Sequence, residues 1–173
     1  NMPVGTIAIA PGPFSAAVDR FLYTVKGMGC HGSTPQTGLD PIPAAARLVG
    51  SLQEIVSRRI SPTETAVISV TRFTSGTSWN IIPETARLGT VRTFNPQVRE
   101  QIVKLMQAQA EGLEREGYQV EFTWIPGCPA TNNDANLAEL VRKEAMEEGF
   151  HVTLQHPEMG GEDFSCYQEL VPG

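Results

Sequence analysis

The sequence is poor in the residues that mark several common classes of protein. Its 173 residues include three cysteines, at positions 30, 128 and 166, with no CxxC pair. This set indicates reduced thiols in a cytoplasmic protein rather than a disulfide framework or a zinc finger. Lysine and arginine number 13 against 19 acidic residues, a formal net charge of -6, which argues against nonspecific attraction to nucleic acid or to an anionic membrane. No apolar run reaches the roughly 18 residues of a membrane span. We therefore expect a cytoplasmic globular protein without a nucleic-acid or membrane partner.

The central part of the chain alternates between strand-like and helix-like patterns. Phe21, Tyr23 and Val25 alternate with polar residues, which is typical of a half-buried strand. Asp40-Pro41 and Asn95-Pro96 each combine a capping side chain with a proline suited to the first helical turn, so each predicts the start of a helix. The predicted elements are strand 18–26, helix 40–59, strand 65–73, strand 87–94, helix 95–113 and strand 118–124.

This β-α-β-β-α-β order predicts an α+β, ferredoxin-like unit over residues 18–126. Four antiparallel strands would form its sheet, and both helices would cover one face. The flanks, 1–17 and 127–173, are predicted as separate segments. Each has a candidate short strand, at 4–10, where Pro11–Pro13 ends it, and at 152–154. The second flank also has a helical stripe at Leu137, Leu140, Val141 and Ala145. Residues 127–173 are too few to bury a good core alone. The expected organisation is therefore two flanking pieces of another α/β domain around one complete domain.

A glycine-rich loop between the first strand and the first helix holds the first candidate functional residue, His31. Three glycines and Pro35 surround it, and glycine admits backbone conformations that other residues avoid, so the loop can present the imidazole without a bulky neighbour. Imidazole is well suited to move a proton or to donate a hydrogen bond near neutral pH. The alternative is a surface histidine that happens to lie in a strand-to-helix loop.

Three further places are candidates. Asn80, beside Trp79, offers a donor and an acceptor for an amide or carboxylate, or stabilises its own turn. Arg92, near a strand end, can bind a carboxylate through two parallel hydrogen bonds, or is a solvated sheet residue. Gly161 and Glu162 lie in the glycine-rich loop 159–164. None of these patterns supplies three metal ligands, so no metal-binding residue is predicted.

Taken in order, the motifs resemble those of one enzyme family. They are Gly5–Ala8, Pro11–Pro13, the His31 loop, Asp40-Pro41, Gly76–Pro83, Gly89–Phe94, Asn133-Asp134 and Met159–Phe164. Together they resemble the metal-dependent amidohydrolases that include hippurate hydrolase and the indole-acetyl-amino-acid hydrolases. The match covers nearly the whole chain. One departure is Gln36, where close relatives commonly have a second histidine, and this leaves the finer substrate specificity open.

The resemblance implies a catalytic α/β domain with two divalent metal ions, zinc or manganese, and an inserted ferredoxin-like lid that forms a homodimer. It implies that His31 stabilises the oxyanion, often from the opposite subunit, while a general base outside this sequence activates a metal-bound water. Asn80 and Arg92 would hold the free carboxylate of an N-acyl amino acid, and the loop at Gly161 and Glu162 would line the pocket.

The family's metal ligands and general base have no counterpart in this sequence. The residues at Asn1 and at Gly173 resemble internal positions of a longer protein, so an inactive fragment without tightly bound metal is expected. The alternative is a standalone ferredoxin-like module that dimerises or binds a small ligand without catalysis.

Overall fold

A computed structural model describes residues 2–173, and within them the chain divides into two compact units. The larger unit is Asp19–Pro126, and the smaller one combines the residues up to Val18 with Gly127–Gly173. The strands are β1 (Thr6–Ile9), β2 (Gly12–Ser15), β3 (Ala17–Lys26), β4 (Cys30–His31), β5 (Ala66–Ser75), β6 (Ile81–Ile82), β7 (Thr85–Thr93), β8 (Gln119–Ile125), β9 (Thr131–Asn133) and β10 (His151–Leu154). The helices are α1 (Pro41–Glu54), α2 (Pro96–Arg115), α3 (Ala135–Glu147) and α4 (Ser165–Gln168).

The two long helices begin where their capping residues predict. Asp40 accepts a hydrogen bond from the Ile42 backbone nitrogen over 2.9 Å, and Asn95 accepts one from Gln97 over the same distance. Each cap satisfies one of the backbone donors that a helix leaves unpaired at its start. The end of the first helix differs from the prediction, because α1 stops at Glu54 and continues as a π-helical turn over Ile55–Arg59.

The larger unit contains a four-stranded sheet in the order β5-β7-β3-β8. Strand β5 runs antiparallel to β7, and β3 runs antiparallel to β8 with Phe21 opposite Trp124. The prediction of a mixed helix-and-sheet unit built on an antiparallel sheet is confirmed. Buried side chains from α1, such as Leu48 and Leu52, and from α2, such as Ile102, join one core with the buried face of the sheet.

A buried ion pair and a buried tyrosine connect β3 to α2. Asp19, whose side chain is fully buried, accepts hydrogen bonds from Arg99, including one from Nε over 2.6 Å. The hydroxyl of Tyr23, also fully buried, donates to the Met106 carbonyl oxygen over 2.7 Å. Buried polar groups of this kind need partners, because an unpaired one loses its bonds to water. Both contacts therefore hold α2 at one place along the sheet.

In the smaller unit, β1 pairs in parallel with β10, and β2 pairs antiparallel with β9. Its helix α3 forms as predicted, but the predicted stripe is largely uncovered within the unit. Ala145 is buried, whereas Leu140 and Val141 are each about half exposed, at 53% and 51%. Over residues 2–173 no helix has both the length and the apolar character that crossing a bilayer demands.

Four short strands were not predicted. These are β2, which begins inside the stretch Pro11–Pro13 that predicts the end of a strand, and β4, β6 and β9. Strands of two to four residues are too short to show the alternation from which a strand is predicted. They form because each pairs with a strand distant in the sequence, β2 with β9 and β4 with β6.

Candidate functional site

The glycines of the His31 loop are required for space rather than for an unusual backbone conformation. A Cβ atom on Gly27 would lie 1.9 Å from the Leu39 carbonyl oxygen, and one on Gly38 would lie 2.5 Å from Cys30 Sγ. Neither glycine has a positive φ angle. The two ends of the loop therefore pack directly on each other, and this contact holds the short strand β4 in position.

The hydrogen bonds of His31 determine which ring nitrogen carries the proton. Nδ1 accepts the backbone N–H of Ser33 over 3.2 Å and lies 2.7 Å from the Ser33 hydroxyl oxygen. A backbone N–H can only donate, so the neutral ring has its proton on Nε2. The side chain is exposed, so Nε2–H is available as a hydrogen-bond donor to a bound ligand.

Asn80 lies beside this histidine. Strand β4 pairs with β6, with His31 opposite Ile81, and the Gly32 N–H donates to the Asn80 carbonyl oxygen over 2.8 Å. The Ser78 hydroxyl donates to Asn80 Oδ1 over 2.8 Å, which leaves the amide NH₂ group as a second outward donor. The structure therefore brings together two of the predicted site residues, on two loops that are distant in the sequence.

Arg92 lies at the other end of the sheet from these two residues. Asn80 directly precedes β6 and lies five residues before Thr85, where β7 begins, whereas Arg92 is the second-last residue of β7. The seven steps of extended strand from Thr85 to Arg92 correspond to about 23 Å. Arg92 is half-buried opposite Val67 of β5. Within the larger unit, one small substrate cannot contact both Arg92 and the pair formed by His31 and Asn80.

Gly161 and Glu162 both have structural contacts in the smaller unit. A Cβ atom on Gly161 would lie 1.9 Å from Val18 Cγ2, so this position has no room for a side chain. Glu162 is half-buried, and its carboxylate accepts a hydrogen bond from the hydroxyl of the buried Thr131. That bond, together with one from Ser165 Oγ to the Glu162 carbonyl over 2.9 Å, fixes the loop in place.

Three serine and threonine residues around the site were not predicted. Ser33 and Ser78 orient His31 and Asn80, and Thr131 orients Glu162. The signal for the first two is a serine two residues from a polar candidate, a spacing that local side-chain hydrogen bonds often use. No such signal exists for Thr131, which lies 31 positions from its partner.

Among residues 2–173, no three histidine, cysteine or acidic side chains are grouped so that they could hold a metal ion. The residues present therefore do not form the centre for two divalent ions that the family resemblance implies. The chemistry available at the described site is hydrogen-bond donation by His31 and Asn80 to an oxygen that carries negative charge.

Residues 18–117 match the family described as the peptidase dimerisation domain of M20 peptidases, and the chain belongs to this family. The match covers the larger unit up to the start of β8 and confirms the family predicted from the motifs.

The chain is similar to hydrolases over its whole length. It is 42% identical to an N-acetylcysteine deacetylase of Bacillus subtilis (strain 168), with all of this chain and 46% of that protein covered. It is 40% identical to an N-acyl-L-amino acid amidohydrolase of Geobacillus stearothermophilus, with 75% of this chain and 36% of that protein covered. Among solved structures, the Bacillus subtilis YXEP protein, a dinuclear metal-binding peptidase of the M20 family, superposes with a TM-score of 0.80 at 38% identity, covering 100% of this chain and 44% of that chain. The chain thus spans about half the length of the relatives it matches.

Proposed function

We propose that this chain is the dimerisation and substrate-orienting part of a metal-dependent amidohydrolase that hydrolyses N-acyl amino acids, including hippurate-like ones. The observation that carries the proposal is the pairing of His31 and Asn80 as outward donors on adjacent loops. Relatives named as deacetylases and amidohydrolases of N-acyl amino acids support the substrate class. The strand order β5-β7-β3-β8, with one helix after β3 and one after β7, supports a ferredoxin-like assignment for the larger unit.

The role of His31 follows from its tautomer. Hydrolysis of an amide passes through a tetrahedral intermediate whose carbonyl oxygen becomes negatively charged, and a preorganised N–H donor lowers the energy of that state. Nε2–H of His31 is such a donor, because Ser33 occupies Nδ1. The amide NH₂ of Asn80 and the guanidinium of Arg92 would bind the free carboxylate of the amino acid.

The position of Arg92 at the far end of β7, away from Asn80 before the start of that strand, supports a site shared between two copies of the chain. A homodimer can place His31 and Asn80 of one copy against Arg92 and the remaining catalytic groups of the other. The loop that would reach across carries uncovered apolar side chains, since Trp79 is fully exposed and Met28 and Ile81 are each 55% exposed. Such side chains are common anchors at protein interfaces.

Residues outside this chain would hold the metal ions, zinc or manganese, which would supply Lewis-acid chemistry. This chain alone is therefore expected to hydrolyse no N-acyl amino acid. It would contribute binding, orientation and one hydrogen bond to the developing oxyanion.

Two variants in a protein of the relatives' full length that contains this chain test the proposal. His31→Ala should lower turnover of an N-acyl amino acid roughly a hundredfold, the scale of a lost oxyanion donor. His156→Ala, which removes an exposed histidine after β10, serves as the control and should leave turnover unchanged. Normal turnover of the His31 variant would contradict the proposed role.

Mixing two inactive variants tests the shared site. If His31 and Arg92 of different subunits serve one substrate, a mixed dimer of His31→Ala with Arg92→Ala has one intact site out of two. Random exchange makes half of the dimers mixed, so about one quarter of the wild-type activity should return. If both residues serve a site within one subunit, no activity should return, and the cross-subunit arrangement would be wrong.

A further inference from the structure

Three arginines from three different strands line one cavity on the sheet face opposite α1 and α2. Arg20 lies on β3, Arg72 on β5 and Arg87 on β7, and the cavity they share has a volume of about 280 Å³. Leu22 and Ile125 also line it, and each is 40% exposed. The cavity therefore combines concentrated positive charge with an apolar floor.

Strand alternation brings two of the arginines to this face. Successive side chains of a strand point to opposite sides of the sheet. Phe21 and Tyr23 are buried against the helices, so Arg20 and Leu22 face the other way. On β7, Ala86 and Leu88 are buried, so Arg87 between them also faces away from the helices.

A register shift in β5 turns the third arginine to the same face. Ile68 is buried and pairs with Val91, and unbroken alternation from Ile68 would point Arg72 toward the helices. The pairing shifts between Ser69 and Phe73, and Phe73 lies opposite the buried Leu88. Arg72, next to Phe73, therefore lies on the face of Arg87. Bulges of this type commonly redirect a side chain at the edge of a sheet.

The three guanidinium groups have no acidic partner in the part of the chain that the structure describes. Its ion pairs involve none of them. Glu121, an acid on the same face of β8, is paired with Lys26. The chain has an excess of six negative charges, so three neighbouring arginines without an acidic partner are not expected from its composition. Like charges in one small cavity repel each other, and a bound anion would remove that repulsion.

We propose that this cavity binds a small dianion, either a phosphate group or a dicarboxylate. The planar fork of an arginine side chain fits pairs of oxygens in carboxylate and phosphate groups, and forks from three strands can share the oxygens of one dianion. The apolar part of an organic ligand packs on Leu22 and Ile125. A single carboxylate satisfies fewer of the three arginines and binds more weakly.

Calorimetric titration of the 173-residue chain tests the site with inorganic phosphate, succinate and acetate at matched ionic strength. We expect phosphate or succinate to bind about tenfold more tightly than acetate, since each additional charge-assisted hydrogen bond contributes on that scale. Tighter phosphate binding identifies a phosphorylated ligand, and tighter succinate binding identifies a dicarboxylate. Equal, weak binding of all three anions would overturn the proposal.

Arginine variants locate the binding. Arg72→Gln and Arg87→Gln should each weaken the preferred dianion about tenfold, because each removes one charged donor. Arg115→Gln is the matched control, since this arginine is exposed on α2 beside Glu111, and it should have no effect. Arg20→Gln supplies a third variant should either of the first two disturb folding, as judged by Trp124 fluorescence. Unchanged affinity in the folded variants would exclude this cavity.

Discussion

Removing the Tyr23 hydroxyl makes a quantitative test of the packing between β3 and α2. The ring contacts Phe21 at a centroid distance of 5.6 Å and Phe122 at 4.8 Å, and Tyr23→Phe preserves both contacts. What is lost is the hydrogen bond to Met106, 2.7 Å long. The Met106 carbonyl lies inside α2 and keeps its helical hydrogen bond, so no buried acceptor is left unpaired. The variant should therefore be less stable by about 1 kcal/mol at pH 7.

The same substitution should change how stability depends on pH. Burial raises the pKa of Tyr23 above that of an exposed tyrosine. In the unfolded chain the hydroxyl titrates near pH 10. Below that pH the hydroxyl is protonated in both the folded and the unfolded chain, and its full contribution to folding stability is present. Above it, the unfolded chain releases a proton that the folded chain retains. The free energy of unfolding of the wild type then falls by up to about 1.4 kcal/mol per pH unit. Tyr23→Phe has no hydroxyl at this position and does not lose this stability. The stabilities of the two proteins should become equal at about pH 11.

Urea unfolding measured between pH 7 and pH 11 provides the assay. Trp124 reports on the core of the larger unit because it is half-buried there, whereas the fully exposed Trp79 changes little. Tyr167→Phe is the control, since Tyr167 is 66% exposed in the smaller unit and should alter neither stability nor its pH dependence. A stability difference between wild type and Tyr23→Phe that stays constant up to pH 11 would refute the reasoning.

Two further substitutions test the packing of each unit. Gly161→Ala should destabilise the smaller unit by about 1–3 kcal/mol, because its Cβ would overlap Val18, whereas the Cβ of Gly160→Ala meets only the end of the Glu158 side chain and should be tolerated. Faster amide exchange in residues 150–173 of the Gly161 variant alone is the expected result, and equal exchange in both variants would contradict it. Asp19→Asn should cost about 3 kcal/mol or more in urea unfolding, because it leaves the charge of Arg99 without its buried partner. Its control, Glu121→Gln, breaks an exposed pair and should cost less than about 1 kcal/mol; similar losses in the two variants would argue against burial of Asp19.

Local signals were sufficient for the main elements of the larger unit. The alternation through Phe21, Tyr23 and Val25 predicts β3, and the residue pairs at Asp40 and Asn95 predict where α1 and α2 begin. These signals act between residues a few positions apart, through the periods of strands and helices and through capping hydrogen bonds. The predicted helix α3 also forms, although its periodicity could not reveal how much of its stripe the smaller unit leaves uncovered.

The sequence by itself determined the family, the types of the main elements and the residues on which a site could be built: His31, Asn80, Arg92, Gly161 and Glu162. Tertiary structure decided which of them meet. It pairs β4 with β6, so that His31 and Asn80 lie together, and it places Arg92 near the far end of β7, seven residues of extended strand, or about 23 Å, from Thr85. It also gathers Arg20, Arg72 and Arg87 through a register shift in β5. The physical reason is that strand pairing joins residues with no periodic relation in the sequence, and an irregularity in that pairing can move a side chain to the opposite face of the sheet.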